Sequence, residues 1–425
     1  MRISVATIKE QIVKLKKHGL GDVFISSVFT ELIGFIASVF IVRTFSKEAY
    51  GYYAIAYNIY GYIAVFIGCG LNNAVLQYCS ETRPNDEKKS IYQFCLKFGS
   101  VFNVILLALM PFVALITLNG MPRHYFIIMS GWPFVAYLSN YFLMRLRVIK
   151  DNRHFMLSNV ISATVFLICA FALSKILGII GYIVALYIKY VSSALLSSYY
   201  LKGSNNTTTN IKLDKKFQYE LIKYSLICCL TNFASTIMML VDVTCVNYFI
   251  GDPSFVATYK TATQIPTALM FIPTSVIVFA FPYLAENNTN IKWLKSNTKK
   301  LTIGVFAINF VVSSAVFLLA PIIVRILWGE KYLDAVQILR ILTINFLVTG
   351  TFNKVYGNLM VAVKKVNINL LKTVIFSCLN VILDIILIRF YGSTGAAIAT
   401  LIVSIGSSAF SYIYYHYWIK KRLVI

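Results

Sequence analysis

Residues 292–327 read KWLKSNTKKLTIGVFAINFVVSSAVFLLAPIIVRIL, and this stretch decides the fold. Four bases, Lys292, Lys295, Lys299 and Lys300, precede an uncharged run from Leu301 to Val324. A bilayer core needs about 20 apolar residues to be crossed by a helix, and Lys and Arg are retained on its cytoplasmic side. Basic connection followed by apolar span is therefore a topological statement, and the same unit recurs along the whole chain.

Working outward, the first half of the 425-residue chain predicts spans over residues 23–44, 50–71, 95–118, 125–144, 155–174 and 178–200. The second half predicts spans over 224–250, 257–284, 301–327, 335–361, 371–390 and 394–418. The composition agrees: 58% hydrophobic and 13% charged residues do not describe a soluble protein of this length. The expected fold class is an all-α integral membrane protein of about twelve transmembrane helices in two six-helix bundles. Residues 1–200 form the first bundle, 201–223 a cytoplasmic linker and 224–425 the second bundle.

The basic residues crowd into alternate connections. Arg2, Lys9, Lys14, Lys16 and Lys17 precede the first span, and Arg83, Lys88, Lys89 and Lys97 follow the second. Arg145, Arg147, Lys150 and Arg153 follow the fourth, and Lys202, Lys212, Lys215, Lys216 and Lys223 the sixth. Lys364, Lys365 and Lys372 are read as the connection after the tenth span, and Lys420, Lys421 and Arg422 end the chain. Both termini are thus expected in the cytoplasm. The net charge of +23 is topogenic, which removes nucleic acid from the expected partners and leaves membrane lipid.

No cleavable leader is expected, since lysines occupy the place of an apolar h-region in the first twenty residues. Ile8, Ile12 and Leu15 share a helical face there, which suits either an interfacial helix or a basic tail. The eight cysteines have no ligand spacing, and His18, His124, His154 and His416 are scattered. No His-Glu-x-x-His or paired loop carboxylate is present, so neither a metal nor catalysis is expected.

An internal repeat is visible. At an offset of 206, Tyr53, Ala56 and Ile59 fall on Tyr259, Ala262 and Ile265. At an offset of 214, Gly178 and Gly181 fall on Gly392 and Gly395, each pair in a tight turn between antiparallel helices. Two halves in the same orientation are implied, as in transporters built from parallel repeats.

Three stretches carry a family resemblance: RTFSKEAYGYYA at 43–54, WGEKYLDA at 328–335 and FYGSTGAAIAT at 390–400. The first is similar to an Arg-x-x-(small)-x-x-x-Tyr-Gly-x-Tyr pattern, with Ser46 where Gly is frequent. In this order and spacing the chain resembles the Wzx-type O-antigen flippases of the multidrug/oligosaccharidyl-lipid/polysaccharide (MOP) superfamily, distant relatives of MATE exporters. The resemblance implies a MATE-like fold and flipping of an undecaprenyl-pyrophosphate-linked oligosaccharide across a bacterial inner membrane, with a polysaccharide polymerase as a further partner. The alternative within the superfamily is an ion-coupled MATE-type drug exporter.

Ionisable residues inside spans are the functional candidates, because each costs at least about 2.5 kcal/mol at a helix centre and rarely faces lipid. Lys189, Lys260, Arg340 and Lys354 are candidates for binding an anionic headgroup. Glu31, Asp242 and Asp384 are candidates for coupling to H⁺ or Na⁺, or for neutralising nearby bases. Arg340, Thr343, Thr351, Lys354 and Asn358 share a sector of about 80° on an ideal helix. Such a stripe lines a cavity or makes interhelical hydrogen bonds and ion pairs. Prolines 111, 133, 266, 273 and 282 are expected to interrupt spans three, four and eight.

Overall fold

The computed structural model describes residues 20–81, 83–202, 213–287, 289–363 and 365–423, and among them every regular element is helical. The possible amino-terminal interfacial helix and the linker bases near Lys212 lie outside the described residues. In chain order the helices are α1 (Leu20–Thr44), α2 (Lys47–Ala64), α3 (Leu71–Ser80), α4 (Asn85–Thr117), α5 (Gly120–Met129) and α6 (Trp132–Val148). They continue as α7 (Asn152–Leu177), α8 (Ile179–Tyr200), α9 (Lys215–Ile250), α10 (Pro253–Leu269) and α11 (Phe271–Glu286). The last five are α12 (Ile291–Leu327), α13 (Ala335–Val348), α14 (Lys354–Ala362), α15 (Val366–Tyr391) and α16 (Ser393–Leu423).

Among the described residues, 11 helical stretches are long and apolar enough to cross a membrane. The remaining expected crossing, residues 224–250, lies inside α9, within which Met239–Ile250 is a shorter apolar helix. The chain is a multi-pass membrane protein.

Helix starts follow local chemistry. Ser46 Oγ accepts from Ala49 N at α2, and at the repeat-related position Asp252 accepts from Ser254 N at α10. Each satisfies an otherwise unpaired N–H of a first turn. Asp151 and Asn290 do the same for α7 and α12.

Proline marks two of the three expected interruptions: span four breaks just before Pro133, and span eight breaks at Met270, between α10 and α11, with Pro273 in the first turn of α11. Pro111 lies within α4 and Pro321 within α12 without ending either helix. Membrane helices tolerate proline where neighbours re-satisfy the freed carbonyl. Pro133 is in the first turn of α6, where its missing N–H costs nothing. The break just before it is bridged by Tyr187, whose hydroxyl donates to Ile128 O at 2.5 Å and accepts from Gly131 N at 3.0 Å. Span two breaks at Ile67–Gly70 instead of running smoothly to residue 71, because Gly68, Cys69 and Gly70 take left-handed conformations.

The chain divides into two compact units, taken here over their described residues: Met1–Phe45 with Ala56–Thr236, and Ser46–Ile55 with Ile237–Ile425. In the first unit α7 and α8 form an antiparallel hairpin, and α1 packs on α7. Tyr60 meets Trp132 edge-on at 5.0 Å in its core, and Trp132 is 1% exposed. In the second unit α15 and α16 form the equivalent hairpin. Lys47 pairs there with Asp334 and lies 5.6 Å over the Tyr332 ring. The first two resemblance motifs therefore meet, which explains why Ser46–Ile55 belongs to this unit.

The two hairpins repeat each other in detail. Gly178 has φ 62° and ψ −141°, and Gly392 has φ 59° and ψ −143°. Gly178 N donates to Ser174 O at 3.1 Å, and Gly392 N to Ile388 O at 2.8 Å. A Cβ on Gly181 would lie 2.1 Å from Leu173 O, and one on Gly395 2.1 Å from Leu387 O. These positions require glycine because the backbones touch.

Candidate functional site

The second unit gathers the two buried carboxylates. Asp242 on α9 is 7% exposed and Asp384 on α15 is fully buried. Asn380, one turn before Asp384, donates through Nδ2 to Asp242 Oδ1 at 2.7 Å and to Asp384 Oδ2 at 3.2 Å. Tyr259 of α10 and Thr400 of α16 donate to Asp242 Oδ2 at 2.6 and 2.7 Å. Asp384 Oδ1 is buried without a hydrogen-bond partner among the described residues. A buried anionic oxygen left unpaired is costly unless a proton or cation meets it. Carboxylate, amide and hydroxyl oxygens are hard donors, so the cluster has the chemistry to hold a proton or a hard cation.

Sequence reasoning named Asp242 and Asp384 separately, and the fold brings them together. Tyr259 and Thr400 were visible only as a repeat position and as the end of the third motif, and Asn380 only by its spacing of four residues from Asp384. Lys260 sits one residue beyond Tyr259 and acts electrostatically on Asp242. Glu31 belongs to the first unit, where it is exposed and faces Lys189 electrostatically. Lys189 is half-buried, with Nζ 5.5 Å from the Phe166 ring centroid.

The polar stripe of span ten does not continue as an ideal helix. A π-helical turn at Thr349–Asn353 separates α13 from α14 and interrupts the 100° progression. Thr343 and Thr351 are fully buried against α12: Ser313 Oγ donates to Thr343 O at 3.4 Å, and Asn309 Nδ2 to Thr351 Oγ1 at 3.1 Å. Arg340 is half-buried, donates through Nε to Phe317 O at 3.2 Å and stacks over the Phe317 ring. Lys354 is half-buried after the π turn, and Asn358 Nδ2 donates to its carbonyl at 2.8 Å.

Among the described residues none of Lys189, Lys260, Arg340 and Lys354 forms a salt bridge with a carboxylate. A fifth intramembrane base emerges in Lys372. The basic pattern assigned it to a connection, but α15 begins at Val366, so Lys372 lies within the helix and is 5% exposed. It was counted with the connection although it is the second residue of the expected 371–390 span, and the helix in fact starts five residues before that edge.

The fold is that of the transporters of the MOP superfamily. A multidrug resistance MATE family transporter of that superfamily, solved in an inward-facing conformation, superposes with a TM-score of 0.77 at 15% identity, covering 92% of this chain and 95% of that one. The lipid II flippase MurJ in an inward closed conformation gives 0.73 at 19% identity, covering 92% and 87%. A MOP superfamily transporter from Pyrococcus furiosus, described as having a binding pocket of reversed polarity, gives 0.61 at 15% identity, covering 95% and 94%. Residues 19–288 match the family model of the polysaccharide biosynthesis proteins, and the chain belongs to that family. It is also 25% identical over 428 residues to an uncharacterized membrane protein of Methanocaldococcus jannaschii, covering 92% of this chain and 82% of the relative.

Proposed function

We propose that this protein is a flippase that translocates an undecaprenyl-pyrophosphate-linked oligosaccharide, of the O-antigen type, across a bacterial inner membrane by alternating access. The observation that carries the reading is the set of intramembrane bases that, among the described residues, form no salt bridge with a carboxylate, in a member of a polysaccharide biosynthesis family. An unpaired base in a low-dielectric setting is a standing demand for an anion. A pyrophosphate-linked sugar is anionic and hydrated, and its passage needs cationic groups that compensate charge without holding it irreversibly. Lys189 in the first unit and Lys260, Arg340 and Lys354 in the second are the proposed substrate-binding groups. The likeness to the lipid II flippase supports a lipid-linked substrate.

Asp242 and Asp384 supply the proposed coupling site for H⁺ or Na⁺, with Asn380 orienting both carboxylates and Thr400 and Tyr259 holding Asp242. A cation there offsets the unpartnered Asp384 oxygen, and its differential affinity for two states of the unit biases the transport cycle. Glu31 is proposed to contribute on the first unit, through Lys189. Both termini are placed in the cytoplasm by the basic pattern, and a polysaccharide polymerase is the expected consumer of the flipped unit.

The test is deletion of the gene in its own host, with analysis of lipid-linked oligosaccharides and surface glycan. Accumulated undecaprenyl-linked repeat units with loss of surface polymer are expected. Unchanged glycan with altered drug tolerance would replace this reading by that of an ion-coupled drug exporter.

A further inference from the structure

The buried ammonium of Lys372 is compensated only by neutral groups. Its Nζ donates to Asn353 Oδ1 at 2.8 Å and to Ser411 Oγ at 3.1 Å, and among the described residues no carboxylate pairs with it. An ammonium has three N–H donors, so one is left over. Lys372 lines a cavity of about 240 Å³ with Asn353, Gly357, Asn358, Asn369 and Thr373. The π turn is what places Asn353 at this wall, where Ser407 of α16 accepts from its Nδ2 at 3.1 Å.

A second group in the wall is unsatisfied. Asn369 Oδ1 is buried without a hydrogen-bond donor among the described residues. A Cβ placed on Gly357 would lie 3.7 Å from that oxygen and 3.9 Å from Lys372 Nζ, so the glycine keeps space in front of both. A spare cationic donor beside a spare neutral acceptor is complementary to an anion that also carries a hydroxyl. A phosphodiester or pyrophosphate diester offers the charge but no hydroxyl donor. The volume lies below the roughly 300–1,000 Å³ of pockets for drug-sized ligands, which suits a single sugar ring. The cavity is built from the end of α14 and the start of α15, beside a connection that the basic pattern assigns to the cytoplasm.

We propose that the cavity formed by α14, α15 and α16 is a subsite for an acidic monosaccharide unit, whose carboxylate meets Lys372 Nζ and whose hydroxyl donates to Asn369 Oδ1. This rests on the reading of the substrate as a glycan and assigns that glycan an acidic sugar, recognised on the loading side. The polar cavity then selects by charge, since a neutral sugar leaves the ammonium uncompensated.

The test is calorimetric titration of the purified, detergent-solubilised full chain with three probes: glucuronate, glucose and inorganic pyrophosphate. Glucuronate is expected to bind at least about tenfold more tightly than glucose, a difference of about 1.4 kcal/mol. Lys372→Met is expected to abolish that preference. Gly357→Val, which leaves the charge in place and fills the space, is expected to abolish glucuronate binding too, so the inference does not depend on one variant folding. Equal binding of glucose and glucuronate, pyrophosphate binding in place of glucuronate, absence of glucuronate binding, or unchanged binding in both folded variants would each overturn it. Binding requires no translocation, so a failure here is separable from failure of the flippase reading, which the deletion strain decides.

Discussion

Lys354 and Asp384 show how differently a charge can sit inside a membrane protein. Among the described residues Lys354 is half-buried without an ion pair, and Asp384 is fully buried with one oxygen shared and one unpartnered. If Lys354 compensates a substrate anion, Lys354→Ala should strongly reduce surface polysaccharide at normal protein levels. Lys354→Arg should restore part of it, because the charge matters more than ammonium geometry. Full activity of both Lys354→Ala and Lys189→Ala, scored by glycan blot against membrane protein level, would place headgroup recognition elsewhere. For the carboxylates, Asp384→Asn and Asp242→Asn should each leave transport indifferent to an imposed Na⁺ or H⁺ gradient in proteoliposomes, with the fold retained because amide replaces carboxyl at nearly equal volume. Gradient dependence surviving in both variants would remove the cluster from coupling. At this scale the sequence exposed which residues are ionisable within spans, since apolar neighbours make them conspicuous. It did not expose that Asp242 and Asp384 share one asparagine, because they are brought together from helices separated by more than a hundred residues.

Among the elements, hairpins and breaks were legible to different degrees. The α7–α8 and α15–α16 turns were foreseen from Gly178, Gly181, Gly392 and Gly395, and their backbone angles agree within a few degrees. Gly181→Ala and Gly395→Ala should each destabilise by on the order of 1–3 kcal/mol through overpacking, despite alanine's better helix propensity, because the new Cβ meets a backbone carbonyl and not a side chain that can turn away. A lowered Tm in detergent checks this, and an unchanged Tm in both variants would mean the hairpins open at little cost. The π turn was illegible: nothing in Thr349–Asn353 announces one inserted residue, which is stabilised by partners on other helices. Deleting Asn353, the last residue of the π turn, should restore α geometry with the flanking helices in register, put Phe352 in its place and remove the acceptor that Lys372 Nζ uses. Loss of glucuronate preference in the purified deletion variant is the expected readout, and an unaltered preference would show that Asn353 is not part of the wall. Pro111 misled for a related reason, since whether proline breaks a helix depends on neighbours that satisfy the freed carbonyl.

For the whole molecule the sharpest prediction concerns sidedness. In a cysteine-free background, Asn119→Cys, in the connection after the third span, should react with an impermeant thiol reagent applied from outside. Asn152→Cys, in the connection after the fourth, should not. Reaction only at Asn152→Cys would invert the topology and with it the loading side assigned to the Lys372 cavity. Sequence alone determined that the chain is a multi-pass helical membrane protein with repeated halves, because the hydrocarbon core imposes span length and leaves lysine and arginine at the edges. Those constraints act on each segment by itself and are written locally. Tertiary structure alone decided that Asp242, Tyr259, Asn380, Asp384 and Thr400 form one cluster, and that Lys372 is a buried base facing a cavity and not a loop charge. Hydrogen bonds between helices depend on rotation and register, and one π turn resets both, so no periodicity counted along a single segment contains them.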